Sequence, residues 1–314
     1  MSGPGRKVER ETEQRLKGCD EVTRSFDEGQ ARIEALRCLL CKDPTCVGAC
    51  PLQIDIKAFI GLMADGEYDR ALEKIMERNP LPAVCGRVCQ YELYCEKECK
   101  LGKKLPRVAI GALERFAADH GTRREAPAVH APRDGAPLIA IAGSGPAGLI
   151  AAYDLVRLGY RVRVFEALHE FGGVLRYGIP AFRLPREVID REIERLRQMG
   201  VEFVNNFIVG RTCTLEELFE EGYAATFVAT GAGVPHFMNI PGENLIGVYT
   251  ANEFLTRVNL MGAYRFPESH TPIRVGQKAV IVGGGNAAMD AARWARRFGC
   301  ETTVLFRRGR KEPR

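Results

Sequence analysis

The chain has 314 residues, 46% hydrophobic and 27% charged, with a formal net charge of +5; that is a length for about two domains and a composition able to bury a core. No stretch pairs dense Lys/Arg with interleaved aromatics, which excludes a nucleic-acid-binding reading. Met1–Arg15 lacks the apolar stretch of a signal peptide, and the most apolar segment, Leu138–Tyr153, is broken by Gly143, Gly145, Pro146 and Gly148 and is too short to span a bilayer. A cytoplasmic protein is expected, and in that setting eleven cysteines point to metal or redox chemistry rather than to disulfides.

Residues 1–120 hold two groups of four cysteines among short amphipathic stretches, such as Phe26–Leu39 and Tyr68–Arg78, whose apolar residues recur at helical spacing. The first group reads C-x2-C-x4-C-x3-C-P (Cys38, Cys41, Cys46, Cys50) and the second C-x3-C-x5-C-x3-C (Cys85, Cys89, Cys95, Cys99). A run of three cysteines with a fourth followed by proline is the ferredoxin pattern in which the fourth ligates the other cluster. Two 4Fe–4S clusters with exchanged ligands are therefore expected, and spacing alone suggests eight thiolates. The alternative is zinc; a zinc ribbon wants two C-x2-C pairs, and the second group has none. Cys19, Cys213 and Cys300 lie outside the pattern and are expected to be free cysteines.

A polar, periodicity-free segment, 121–137, reads as a linker. From Leu138 strand and helix signals alternate. Leu138–Gly143 is a buried strand, Pro146–Leu158 a helix, Tyr160–Glu166 a strand, and Pro185–Gly200 a helix with Pro near its start and Gly past its end. The strand signal of Val201–Asn206 follows, then a short helix opened by Thr214 with Glu217 as a capping box, then the strand Ala225–Gly231. A loop-rich crossing, 256–275, leads to a second unit of the same kind, with the strand from Lys278, a helix to about Phe298 and the strand Glu301–Arg308. The expected fold is α/β: an N-terminal α-helical iron–sulfur domain (1–120), then doubly wound Rossmann-like units, a first part of an FAD-binding domain (138–255) and an NADPH-binding domain (276–314). The second unit shows two strands where a dinucleotide-binding half needs three, so the sequence is expected to be part of something longer.

Gly143, Gly145 and Gly148 form a G-x-G-x-x-G turn between strand and helix, with Pro146 and Ala147 opening the helix. A pyrophosphate would sit on that helix N-terminus, and Glu166, 23 residues after Gly143, is expected to accept hydrogen bonds from ribose hydroxyls. Gly283, Gly284, Gly285, Asn286 and Ala288 repeat the arrangement; there the counterpart of Glu166 is Phe306, followed by Arg307 and Arg308. Guanidinium forks suit a 2′-phosphate, which favours NADP(H) over NAD(H). Between a two-electron nicotinamide and one-electron clusters a flavin is the expected intermediary, so the first turn is assigned to FAD and the second to NADP(H). The five histidines sit in linkers and loops with no pair at ligand spacing, and no catalytic side chain is named.

Together these motifs, with AIGALERF (109–116), FGGVLRYGIPAFRLP (171–185), VATGAG (228–233) and GGGNAAMDAAR (283–293), resemble a known family. It includes the NADPH-dependent glutamate synthase small subunit, the flavin-bearing N-terminal part of dihydropyrimidine dehydrogenase, and the large subunit of NADH-dependent reduced ferredoxin:NADP oxidoreductase, to which YGIPAFRLP and 251–268 are most similar. The resemblance implies that a carboxylate replaces one thiolate. One cluster would take Cys38, Cys41, Cys46 and Cys99, and the other Cys50, Cys89, Cys95 and Glu114, leaving Cys85 free. It also implies that Gly172, Gly173, Leu175, Thr230 and Gly231 lie along the FAD and that Asn286 lies near the NADPH pyrophosphate. A partner subunit is implied: a second flavoprotein handling NADH and ferredoxin, or a glutamate synthase large subunit. The rival of another class is a non-catalytic electron-relay or docking subunit.

Overall fold

The computed structural model describes residues 8–16, 18–121 and 135–307, so Arg308 and nearly all of the expected linker lie outside the described residues. The chain divides into two compact units, one made of 1–11, 21–130 and 190–199, the other of 12–20, 131–189 and 200–314.

The first unit is a cluster of short helices: Glu28–Leu36, Thr45–Ala49, Ile56–Ala64, Tyr68–Met76, Pro82–Val88 and Ile110–His120. Asp27 opens the first by accepting from Gln30 N at 2.8 Å while its own N–H donates to the Gln30 side chain at 3.1 Å, a reciprocal cap that leaves two fewer orphan donors. Pro82 starts its helix where no intrahelical N–H is needed. Phe59, Ile60, Met63, Leu72, Ile75, Leu113 and Phe116 fill the core, and the cysteines pack on it.

The helix Ile110–His120 is the central element, with eight of its eleven residues buried. It reaches that position because Gly86 lets the helix Pro82–Val88 come to backbone contact: a Cβ at Gly86 would stand 2.6 Å from Arg115 Cα. A buried ion network locks the pair. Glu21 accepts from Arg87 at 3.0 Å and from Arg115 at 2.9 Å, while Asp119 bonds the same two guanidinium groups at 2.9 and 3.3 Å. Two further residues of the N-terminal segment, Val8 and Glu9, pair antiparallel with Thr23 and Arg24, a ladder too short for the sequence to announce.

The second unit holds a four-stranded parallel sheet in the spatial order Glu202–Val204, Arg161–Phe165, Leu138–Ala142, Tyr223–Val228. The chain's first strand of the sheet lies between its second and fourth, so the winding reverses at Leu138–Ala142, the switch point where such sheets place ligands. Ala142 is in register with Phe165 on one side and Val228 on the other, which brings Gly143, Glu166 and Ala229 to one edge. A separate parallel pair, Lys278–Val282 with Glu301–Leu305, is followed in register to Val282 opposite Leu305. The mixed α/β architecture is as expected. Three details differ: the strand at 225–231 ends at Val228, a short helix Val174–Tyr177 follows Gly173, and the chain is helical at Ala251–Leu255, just before the expected crossing, and at Thr256–Leu260 within it. Apolar Phe254, Leu255, Val258 and Leu260 recur at helical spacing there, and Thr250 caps the turn by accepting from Glu253 N at 3.2 Å.

Within this unit Trp294, on the helix Asn286–Arg297, is buried; its Nε1 donates to Asn259 Oδ1 at 2.9 Å, and Asn259 Nδ2 donates to Tyr177 O at 3.0 Å. Arg183 donates to buried Asp290 of the same helix at 2.5 Å.

Gly86→Ala is expected to destabilise the protein by about 1–3 kcal/mol, the cost of forcing a methyl into a packed backbone contact, read as a lowered midpoint in urea unfolding. Gly66→Ala supplies no such comparison, because its φ of +83° strains any side chain; Gly48→Ala, whose added Cβ meets nothing within 4 Å, is the control and should shift the midpoint little.

Candidate functional site

Cys38, Cys41, Cys46 and Cys99 line one cavity, together with Ile56, Ile60, Val108 and Ile110. The cavity is small and partly open to solvent. Three of these thiols come from the first cysteine group and one from the second. Two hydrogen bonds hold the second group's end opposite the first: Thr45 Oγ1 donates to Glu98 O at 2.7 Å, and Lys100 Nζ donates to Asp43 O at 2.6 Å. Burial pushes Cys46 up to about 11, with Cys38 and Cys99 adding to it, and Cys38 is raised mainly by burial as well. Thiols held in an apolar wall bind as thiolates around a strongly cationic core, which is what an iron–sulfur cluster presents. Among the described residues no three His, Cys, Asp or Glu side chains converge on a single ion. Four thiols from two segments around one space fit the thiolate donor set of an iron–sulfur cluster.

A second group gathers Cys50, Cys85, Cys89, Cys95 and Glu114. Each of Cys85 and Cys95 has Cys50, Cys89 and Glu114 as neighbours, and burial, foremost, raises both; Cys85 is pushed up to about 12. Glu114 is 3% exposed. Its Oε1 accepts from Asn79 Nδ2 at 2.7 Å and its Oε2 from Tyr91 OH at 3.2 Å. Burial pushes its carboxyl up to about 7, and those two hydrogen bonds act in the opposite direction. Asn79 and Tyr91 carry no motif, and sequence reasoning missed them; the only trace is an uncharged polar residue between two helices, followed by Pro-Leu-Pro.

At the sheet's switch point, Gly143 has a φ of +110° and its N–H donates to Phe165 O at 2.7 Å. A Cβ at Gly148 would lie 2.0 Å from Gly143 O, so the helix Pro146–Arg157 packs directly beneath the turn. A Cβ at Gly145 would meet nothing within 4 Å: the helix N-terminus is open where a pyrophosphate would approach. The structure brings Gly173 beside Gly145 and Thr230 N beside Gly143, while Leu175 is buried close by in sequence. Gly231 follows at the end of the same strand connection, with a φ of +70°. Glu166 stands at the expected strand end but is 6% exposed, and its carboxylate accepts from Ser144 N at 3.0 Å, from Ser144 Oγ and from Leu168 N at 3.0 Å. Ser144 Oγ also accepts from Gly172 N at 2.9 Å. Ser144, which sequence reasoning passed over, therefore clamps the two glycine turns and the acid together.

The second turn repeats the geometry: Gly283 N–H donates to Leu305 O at 2.9 Å, Gly285 caps the helix that begins at Asn286, and a Cβ at Gly285 would meet open space. A Cβ at Gly284 would strike the Phe306 ring at 2.4 Å, so the ring takes the volume against the turn where the first unit has an acid. Arg307 is exposed just beyond it. The cradles fit the diphosphates expected of them.

Residues 15–126 match the family model described as dihydropyrimidine dehydrogenase domain II, 4Fe-4S cluster, and residues 138–313 match that of pyridine nucleotide-disulphide oxidoreductase. The chain is 36% identical over 292 residues to the glutamate synthase [NADPH] small chain of Escherichia coli K12, covering 92% of this chain and 62% of that one. The chain belongs to the glutamate synthase small-chain-like family of iron–sulfur flavoprotein oxidoreductases. It is also 38% identical over 293 residues to the E. coli K12 NAD-dependent dihydropyrimidine dehydrogenase subunit PreT (92% of this chain, 68% of that one). To the NADP(+)-dependent formate dehydrogenase subunit beta of Moorella thermoacetica it is 37% identical over 296 residues (85% and 40%). The chain thus spans about two thirds or less of the length of these relatives. As a member of this NAD(P)-dependent family it carries a 4Fe–4S domain followed by an FAD- and NADP-binding region. Among the described residues no helix is long and apolar enough to cross a membrane.

Gly145→Ala should leave the melting temperature nearly unchanged, since its methyl meets no protein atom, while flavin per chain, read from visible absorbance, falls several-fold. Gly148→Ala should lower both. Full flavin content in Gly145→Ala would remove the first turn from the flavin site.

Proposed function

We propose that the protein is the NADPH-linked subunit of an oxidoreductase of the ferredoxin:NADP oxidoreductase type, passing electrons between NADP(H), FAD, two 4Fe–4S clusters and a partner subunit. The observation that carries this reading is the chamber lined by Cys38, Cys41, Cys46 and Cys99, thiols from both cysteine groups facing one space. In this reading Cys50, Cys89, Cys95 and Glu114 hold the second cluster, and Cys85 is a bystander. FAD would lie over Gly143, Gly145, Pro146, Ala147 and Gly148, along Gly172, Gly173 and Leu175 and against Thr230 and Gly231. NADP(H) would lie over Gly283–Ala288, with Asn286 at its pyrophosphate and Arg307 and Arg308 at its 2′-phosphate. When bound, a flavin exchanges two electrons with a nicotinamide and one at a time with a cluster. The chain's own part is to bind and orient: helix N-termini meet the diphosphates, and the apolar walls around the thiols keep water from the metal sites.

Glu166 has a double role in this reading. Its Oε2 accepts twice from Ser144 and its Oε1 once from Leu168, so Oε1 retains lone-pair capacity for a ribose hydroxyl. A second reading, the small chain of an NADPH-dependent glutamate synthase, is favoured by the 36% identity over 92% of this chain to that E. coli protein; the partner, not the site, separates the two.

NADPH added without oxygen to the full-length protein is expected to bleach both the flavin band and the broad iron–sulfur absorbance. Absorbance that does not respond would favour a relay subunit. Arg307→Glu should weaken NADPH by about 10–100-fold, the worth of a charge-assisted hydrogen bond, with little effect on NADH; equal losses for both nucleotides would contradict the assignment to the 2′-phosphate.

A further inference from the structure

We propose that Asn79 is a positioning residue of the second cluster site: its carboxamide aims Glu114 at the group formed by Cys50, Cys89 and Cys95. The proposal rests on the assignment of Glu114 as a ligand made above.

Asn79 is fully buried, in the turn between the helices Tyr68–Met76 and Pro82–Val88. A buried amide must satisfy both of its ends, and here the two ends are told apart by a neighbour with no choice. Leu81 N–H, which only donates, points at 3.1 Å to one of them, and that atom is therefore the oxygen. The nitrogen end is then fixed, and it donates to Glu114 Oε1 at 2.7 Å. Cys85 Sγ lies 3.7 Å from the same Asn79 oxygen. One side chain thereby touches both candidates, its donor end on the carboxylate and its acceptor end on the sulfur, and only the carboxylate is aimed by a fixed N–H.

Tyr91 completes the arrangement by donating to Glu114 Oε2 at 3.2 Å. Each carboxylate oxygen then has one donor and keeps a second acceptor direction for iron. Tyr91 is itself fixed against the Glu114 helix, since a Cβ at Gly111 would lie 2.2 Å from its ring. Partners of this kind set the orientation and basicity of metal ligands, and their loss typically costs 10–100-fold in metal affinity.

The test is electron paramagnetic resonance of the reduced full-length protein, with iron content and melting temperature measured on the same samples. Asn79→Asp keeps the acceptor for Leu81 and Cys85 and removes the donor to Glu114. It is expected to leave the signal of the cluster at Cys38, Cys41, Cys46 and Cys99 intact and to shift or abolish the second signal, as Glu114→Ala does. Tyr91→Phe should shift the second signal in the same direction by less, and it reports even if Asn79→Asp fails to fold. Cys85→Ser should leave both signals at their wild-type values. A wild-type second signal in both Asn79→Asp and Tyr91→Phe, beside an altered one in Glu114→Ala, overturns the positioning role and leaves the ligand assignment standing. A wild-type signal in Glu114→Ala with loss in Cys85→Ser overturns the ligand assignment, and the positioning role with it.

Discussion

Thiols and a carboxylate crowd the apolar interior of the helical unit, and anions there are tolerable only beside compensating positive charge. Most of the unit's architecture follows from that constraint. Its helices are short because the chain must return repeatedly to the same interior. Cys38 follows the end of one helix, Cys46 lies within another, and Cys50 and Cys89 are the C-terminal caps of two. The helix Ile110–His120 delivers a single buried carboxylate and is gripped by Gly86, Tyr91 and the Glu21–Arg87–Arg115–Asp119 network. That network keeps its four charges paired next to the cluster residues without lending one to them. Where ligands from both cysteine groups meet one metal core, metal binding and folding are coupled.

The second unit solves a different electrostatic problem by different means. In the proposed reading, dianionic diphosphates would be met by backbone N–H groups at helix N-termini rather than by side-chain cations. The sheet's winding reversal places one such terminus beside the ends of the neighbouring strands, so Gly143, Glu166 and Ala229 come together without any long-range side-chain recognition. Ser144 then joins the acid to Gly172. The second turn has the same backbone geometry and the opposite chemistry at its acid position, with the Phe306 ring packed on Gly284.

Much of this is legible in the order of residues alone. Strand–glycine–helix periodicity locates both turns because Gly143 and Gly148 sit where a side chain cannot, and the Thr214–Glu217 capping box forms as read. The cysteine groups announce a metal domain and hint at ligand exchange. Spacing could not decide which thiols share a chamber, because the decisive bonds, Thr45 to Glu98 and Lys100 to Asp43, involve residues with no pattern. Nor could it find Asn79, Tyr91 or Ser144, each a single polar residue whose role depends on burial and on a partner 35, 23 and 22 positions away. The helical turns in 251–260 are not legible because they are two adjoining five-residue pieces beside a stretch rich in loop signals.

The central claim is that the helical unit holds two four-iron clusters. Iron, acid-labile sulfide and zinc measured per chain on anaerobically purified full-length protein test it most directly. The account predicts about eight irons and about eight sulfides with no stoichiometric zinc. One or two zinc ions without sulfide, or about four irons that Glu114→Ala leaves unchanged, would contradict it.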